Sequence, residues 1–167
     1  MEPEFRPDAI VEVLVRHGVA FIVIGGTAAY LYGSNLLTED IDVVPQGDLD
    51  NLAGLSAALN ELDARIRLPG GDPLPFGHDA TSLAGSIFWK LTAKHGDLDI
   101  SHRPSGTAGY ADLVREAVSI TMGGTPVQLA SLADIIRSKE AAGRDKDRRA
   151  LPVLRELLAQ QLRSRRP

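Results

Sequence analysis

Thr38-Glu39-Asp40-Ile41-Asp42-Val43-Val44-Pro45 is the stretch on which the reading of this 167-residue chain turns. Alternate residues of a strand face the same way, so Asp40 and Asp42 project together while Ile41 and Val43 go to the core. Two carboxylates side by side repel each other unless a cation or a shared proton compensates. A D-x-D pair alone is more often a cap, a turn former or a solvated face. Here Ile41 and Val43-Val44 bracket Asp42, and an unpaired carboxylate inside such an apolar run is costly.

Upstream, Val19 to Ile24 reads as a buried strand. Gly25-Gly26 then makes a tight turn, and Thr27 to Tyr32 is a short helix ended by Gly33. A glycine pair between strand and helix lets backbone N–H groups approach a phosphate, and the helix amino terminus adds positive potential. Fifteen residues separate Gly25 from Asp40, room for one helix and a return strand. Thr38 is placed to hydrogen-bond a phosphate or to orient Asp40, or is an ordinary threonine at the start of a strand.

Downstream, Asp97-Leu98-Asp99-Ile100 repeats the pattern. Leu98 and Ile100 flank Asp99, which makes it the better third carboxylate, with Asp97 as the runner-up. Three carboxylates on neighbouring strands can hold two Mg2+ ions, hard ions that also carry substrate phosphates, for an in-line displacement at phosphorus. A third stretch, Ser138-Lys139-Glu140-Ala141-Ala142-Gly143-Arg144-Asp145-Lys146-Asp147, supplies cations. Lys139 follows the apolar helical positions Leu132, Ile135 and Ile136 and can reach a triphosphate as a mobile point charge. Ser138 can assist, Arg144 or Lys146 can neutralise a leaving pyrophosphate, and Asp147 can cap the last helix or orient one of those cations.

The length fits one domain with a proper core, a sheet part to about residue 130 and carboxyl-terminal helices over about 131–167. With no cysteine, disulfides and thiolate metal sites are excluded, and the four histidines show no metal-binding spacing. Gly18 to Thr38 carries no formal charge but is interrupted by four glycines, so it reads as strand, turn and helix rather than a bilayer crossing. No signal-peptide pattern is present at the amino terminus, and a cytoplasmic location is expected. Residues 137–167 hold ten Lys/Arg against four Asp/Glu; the remainder holds eight against eighteen. An acidic body that gathers cations beside a basic tail suits a nucleotide or RNA substrate, although solvated helix faces look the same.

The remaining elements follow from periodicity and punctuation. Asp8 to His17 is an amphipathic helix stopped by Gly18, and Asp48 caps a helix to about Leu62. Arg65 to Leu68 can be a strand, Pro69 to His78 is a loop, and the strands around Gly96 form a hairpin. Ala108 to Ala117 reads as helix, and Val118–Met122 with Pro126–Leu129 as a second hairpin. Ser131 caps a helix ending before Gly143, and a last helix runs from about Lys146 to Leu162 with Pro152 in its first turns or marking a break. The expected architecture is α/β (α+β), a mixed sheet covered by helices with a helical carboxyl-terminal part.

Together, Val23-Ile24-Gly25-Gly26-Thr27, Thr38-Glu39-Asp40-Ile41-Asp42-Val43, Leu98-Asp99-Ile100 and Ser138-Lys139 through Asp147 resemble the polymerase-β-like minimal nucleotidyltransferase superfamily. The likeness is to its small bacterial members, including AbiEii- and MenT-type toxins of toxin–antitoxin systems. The resemblance implies a nucleotidyltransferase fold and transfer of a nucleoside monophosphate from an NTP to an acceptor hydroxyl. It implies Asp40, Asp42 and Asp99 as Mg2+ ligands, with Asp99 activating the acceptor. Gly25, Gly26 and Lys139 would bind the triphosphate, assisted by Thr27, Thr38, Ser138, Arg144 and Asp147. The implied acceptor is the 3′ end of tRNA, with a cognate antitoxin as partner and neither membrane nor DNA involved. Competing readings are transfer to a small molecule such as an aminoglycoside, transfer to a protein, and a non-catalytic nucleotide-binding module. Two departures stand out: the usual glycine-serine is Gly25-Gly26, and Leu36-Leu37 replaces an arginine often found before the carboxylates.

Overall fold

A computed structural model describes residues 4–165. Helix α1 (Pro7–Arg16) leads into strand β1 (Phe21–Ile24), and helix α2 (Gly25–Leu31) returns the chain to β2 (Asp40–Pro45). Helix α3 (Leu49–Glu61), a two-residue β3 (Arg65–Ile66) and short helix α4 (Ala80–Ala84) precede the hairpin β4 (Phe88–Ala93) and β5 (Gly96–Ser101). Helix α5 (Tyr110–Leu113), with a 3-10 turn at Val114–Glu116, leads to the second hairpin, β6 (Val118–Met122) and β7 (Thr125–Leu129). Helices α6 (Leu132–Ala142) and α7 (Asp145–Ser164) complete the chain.

The seven strands form one mixed sheet in the order β3-β4-β5-β2-β1-β7-β6. Hairpins account for the antiparallel pairs β4–β5 and β6–β7, while β2 runs parallel to β5 and β1 parallel to β7. The β2–β5 register sets Asp40 opposite Asp97 and Asp42 opposite Asp99, and β1 ends with Ile24 opposite Asp42. Period-two alternation then divides the sheet into two faces. Ile41, Val43, Leu98 and Ile100 are buried on one of them. Trp89, opposite Ile100, donates from Nε1 to Leu83 O of α4, so α4 covers that face. Helix α3 packs on α4 and α1 on α3, contributing the fully buried Leu52, Leu55, Leu59, Ile10 and Leu14. The opposite face carries the aspartates, with α2 and α6 around them.

Local signals explain most boundaries. Asp48 accepts from Asn51 N at 2.9 Å and Ser131 from Asp134 N at 3.0 Å, each capping the helix that follows. Gly143, at φ 62°, ends α6 in the left-handed conformation that favours glycine. Four expectations are corrected. The helix α2 starts at Gly25 itself rather than after a glycine turn, and the strand expected over Arg65–Leu68 is two residues long. The helix expected over Ala108–Ala117 shrinks to one turn plus the 3-10 turn, and α4 was not anticipated. Pro152 lies inside α7 on an exposed face; it breaks nothing, because water can satisfy the carbonyl that loses its partner. Among the described residues, no helix is long and apolar enough to cross a membrane.

Candidate active site

The β2–β5 register, derived from two alternating D-x-D strands, brings three carboxylates together. Ligand oxygens of Asp40, Asp42 and Asp99 lie within 4.8 Å of one another. Burial pushes the Asp42 carboxyl up to about 7, with the charges of Asp40 and Asp99 adding to the rise and Lys146 and Lys139 opposing it. Burial also raises the Asp99 carboxyl, and the Arg67 guanidinium offsets only part of that. A cluster of oxygens this short of positive charge fits a hard divalent cation, and its all-carboxylate donor set fits Mg2+ better than a softer metal.

Asp97, the alternative third carboxylate, points to other partners. Its Oδ1 accepts from Thr92 Oγ1 at 3.0 Å and its Oδ2 is 3.2 Å from Arg67 Nη1. It stands outside the three-carboxylate cluster.

Helix α2 presses against the cluster. Gly25 sits at φ +71°, and a Cβ there would collide with the Asp42 carboxylate. A Cβ on Gly26 would meet Thr38 Oγ1 at 3.0 Å, so the Thr38 side chain fills the space beside that residue. Both Thr27 Oγ1 and Thr38 Oγ1 donate to Asp40 O, at 2.8 and 3.0 Å, and Thr38 also reaches Asp40 Oδ1 at 3.2 Å. Thr27 is buried and its hydroxyl is committed to that carbonyl, which places it behind the cleft as a brace for β2. Thr38 lines the cleft.

From α6 and α7 come the cations. Asp147 is fully buried beneath them: Arg144 Nε is 2.7 Å from its Oδ2, and Lys139 Nζ is 3.6 Å from its Oδ1. Arg144 N donates to Asp147 Oδ2 at 3.1 Å, closing the first turn of α7. Burial works to raise the Asp147 carboxyl, but the Arg144 side chain and backbone, with Lys139, outweigh it and hold it below the usual range. Asp147 thus both caps α7 and orients the two cations.

A cleft of about 810 Å³ adjoins the cluster, reached by Asp42 but not lined by Asp40, Asp99 or Thr27. Gly25, Gly26, Thr38, Asp42, Ser138, Lys139, Arg144, Lys146 and Asp147 all line it. Its lining also includes Leu36, Leu37, Ile87 and Phe88, all of them exposed, together with Arg103. Arg67 and Arg103 were not singled out from the sequence. Arg67 left a faint signal, because two carboxylates flanked by apolar residues at Asp97 and Asp99 require a cation. Arg103 left none.

No protein-family model matches the chain, and no curated protein sequence matches it. Solved structures do. The lincosamide antibiotic adenylyltransferase LnuA, in a lincomycin-bound crystal structure, superposes with a TM-score of 0.62 at 13% identity, over 93% of this chain and 99% of that one. A Thermotoga maritima protein assigned as a nucleotidyltransferase gives 0.55 at 17% identity, over 95% and 97%. The antibiotic-resistance factor ANT(2'')-Ia gives 0.50 at 15%, over 95% and 94%. Identities this low speak for architecture, and with the register and helix order above they establish that this chain has the nucleotidyltransferase fold.

Proposed function

We propose that the chain is a Mg2+-dependent nucleotidyltransferase that moves a nucleoside monophosphate from an NTP to an acceptor hydroxyl. The observation that carries this reading is that Asp42, one of three carboxylates whose oxygens lie within 4.8 Å of one another, lines the same cleft as the cation pair Lys139 and Arg144. Asp40, Asp42 and Asp99 would hold the divalent cation, which when bound supplies charge neutralisation at the attacking and leaving oxygens. Gly25 and Gly26 let the backbone approach the triphosphate. Lys139, Arg144 and Lys146 carry its negative charge, with Asp147 fixing the first two. Asp99 accepts the proton of the acceptor hydroxyl; the new bond forms from that oxygen to the α-phosphorus, and pyrophosphate leaves with the electron pair of the broken bond.

Two acceptors remain in play, and the apolar lining of the cleft bears on the choice. A tRNA 3′ end, with the toxin role and antitoxin partner that the resemblance implies, needs cations along the backbone path. Leu37 (95% exposed), Ile87 (70%), Leu36 and Phe88 instead offer an apolar lip, with Arg103 lining the same cleft and Lys90 Nζ 5.6 Å from the Phe88 ring centre. That lip favours a small, partly apolar hydroxyl compound, in line with the fold's likeness to LnuA and ANT(2'')-Ia.

The deciding experiment incubates the protein with Mg2+ and each α-labelled NTP in turn, against total bacterial RNA and against a panel of hydroxylated antibiotics, beside Asp40→Asn. Label on a small molecule, lost in the variant, supports the reading in full. Label on a tRNA-sized band would restore the toxin reading, and no label on any acceptor would sink nucleotidyl transfer.

A further inference from the structure

Arg67 has no part in the reaction as described above, yet its guanidinium is the best-fixed cation near the carboxylates. Nη2 is 2.6 Å from Asp99 Oδ1, and Nη1 is 3.2 Å from Asp97 Oδ2 while donating to Leu91 O at 3.0 Å. Its backbone N donates to Lys90 O at 3.0 Å, continuing the β3–β4 ladder beyond Ile66. The fork therefore spans β4 and β5 from the edge of the sheet, held by acceptors on both. Asp97 is itself pinned by Thr92, so the anchor is rigid. Planar two-nitrogen recognition of this kind is available to arginine and not to lysine.

We propose that Arg67 is a positioning residue for the transfer: its fork takes Oδ1 of Asp99, braced by Asp97 and Leu91 O, and leaves Oδ2 as the one oxygen presented to the cation and the acceptor hydroxyl. This rests on the nucleotidyl-transfer reading. An unheld carboxylate rotates about its last bond and offers either oxygen, or both, to a cation. With Oδ1 engaged by Arg67, Asp99 would serve as a single-oxygen ligand through Oδ2. Loss of the fork has two consequences of opposite sign. The cluster loses a neighbouring positive charge, so it binds a divalent cation more tightly. The Oδ2 oxygen loses its fixed direction, so the chemical step slows. A cation with a merely structural role would not separate the two.

The test compares wild type with Arg67→Gln, Arg67→Lys and Asp97→Asn in two measurements, free Mn2+ by electron paramagnetic resonance and steady-state transfer. For Arg67→Gln the expected result is Mn2+ affinity raised about fivefold, kcat lowered at least about tenfold and KM for the NTP unchanged. Arg67→Lys should restore wild-type Mn2+ affinity without restoring kcat, because it returns the charge and not the fork. Asp97→Asn should lower kcat by a smaller factor. Circular dichroism and melting temperature confirm each fold, and if Arg67→Gln does not fold, the lysine variant's split between Mn2+ affinity and kcat decides. Wild-type kcat in Arg67→Gln, or weaker Mn2+ binding together with a raised KM, overturns the proposal. Wild-type protein that binds Mn2+ but transfers to no acceptor sinks the transfer reading instead; unchanged Mn2+ affinity in Arg67→Gln would then overturn the placement of Arg67 as well.

Discussion

Asp42 and Gly25 show how tightly single residues are constrained at this site. In the folded protein without a cation, Asp42 keeps its proton up to about pH 7, whereas an unfolded aspartate releases it near pH 4. At Asp42 the folded state therefore holds more proton between those values, and the contribution of this residue to stability falls as pH rises from about 4 through 7. A bound cation reverses this by displacing the proton. Mn2+ affinity should consequently weaken roughly tenfold for each unit that pH drops below 7 and level off above it, as titration calorimetry from pH 5.5 to 8.5 would show. Asp42→Asn should raise the melting temperature of the cation-free protein at pH 8 while abolishing the response to Mn2+; a lower melting temperature there would mean that Asp42 is not strained. Gly25→Ala meets a double obstacle, a left-handed φ and a Cβ directed into the Asp42 carboxylate. It should cost about 1–3 kcal/mol of stability and reduce Mn2+ affinity, whereas a wild-type denaturation midpoint would show that α2 shifts freely.

At the level of elements, the α6–α7 junction is organised by one buried charge. Asp147 holds the first turn of α7, Arg144 and Lys139 at once. Asp147 is buried while Arg144 is largely exposed, so Asp147→Ala should cost about 1–3 kcal/mol in urea denaturation, mainly through the lost cap of α7 and the stranded Lys139. Asp147→Asn keeps the shape and part of the capping, and should appear chiefly as an NTP KM raised about tenfold, with kcat changed less. Equal KM values in the two proteins would show that Lys139 needs no such support. This junction was legible in the sequence, because caps and cations within ten residues act locally. So was the placing of the carboxylates on neighbouring strands, since Asp42 and Asp99 each sit between apolar neighbours that dictate their face. The Arg67 fork was not legible: it joins residues 32 apart across an edge strand too short to show a period. The later start of α5, after Gly109, also escaped. Gly109 lies at φ +87° against the His102 carbonyl, and no local pattern reports that contact.

Across the whole molecule, the charge asymmetry acquires a different meaning once the ion pairs are placed. A tail with ten cations suits a nucleic-acid track, yet most of those described are engaged within the protein. Arg137 pairs with Asp112 and Asp134, Arg148 with Asp145, Arg155 with Glu140 and Arg163 with Glu156. Lys139 and Arg144 converge on Asp147. Among the described residues of this tail, Lys146, Arg149 and Arg165 have no ion-pair partner, and only Lys146 of these lines the cleft. Among the described residues, the tail thus has fewer unpaired cations than its composition suggests, and Lys146 is the one that lines the cleft. Release of counterions from an RNA backbone would make binding fall about 1,000-fold or more between 50 and 200 mM salt for six or more phosphate contacts. A small acceptor bound on the apolar lip should show almost none of that dependence. The acceptor KM, measured across that range at fixed NTP and Mg2+, should therefore stay nearly flat, and Leu37→Asp should raise it without changing the KM for NTP. A steep rise of acceptor KM with salt, with Leu37→Asp silent, would instead mean that the acceptor is a polynucleotide entering past the free cations of α7.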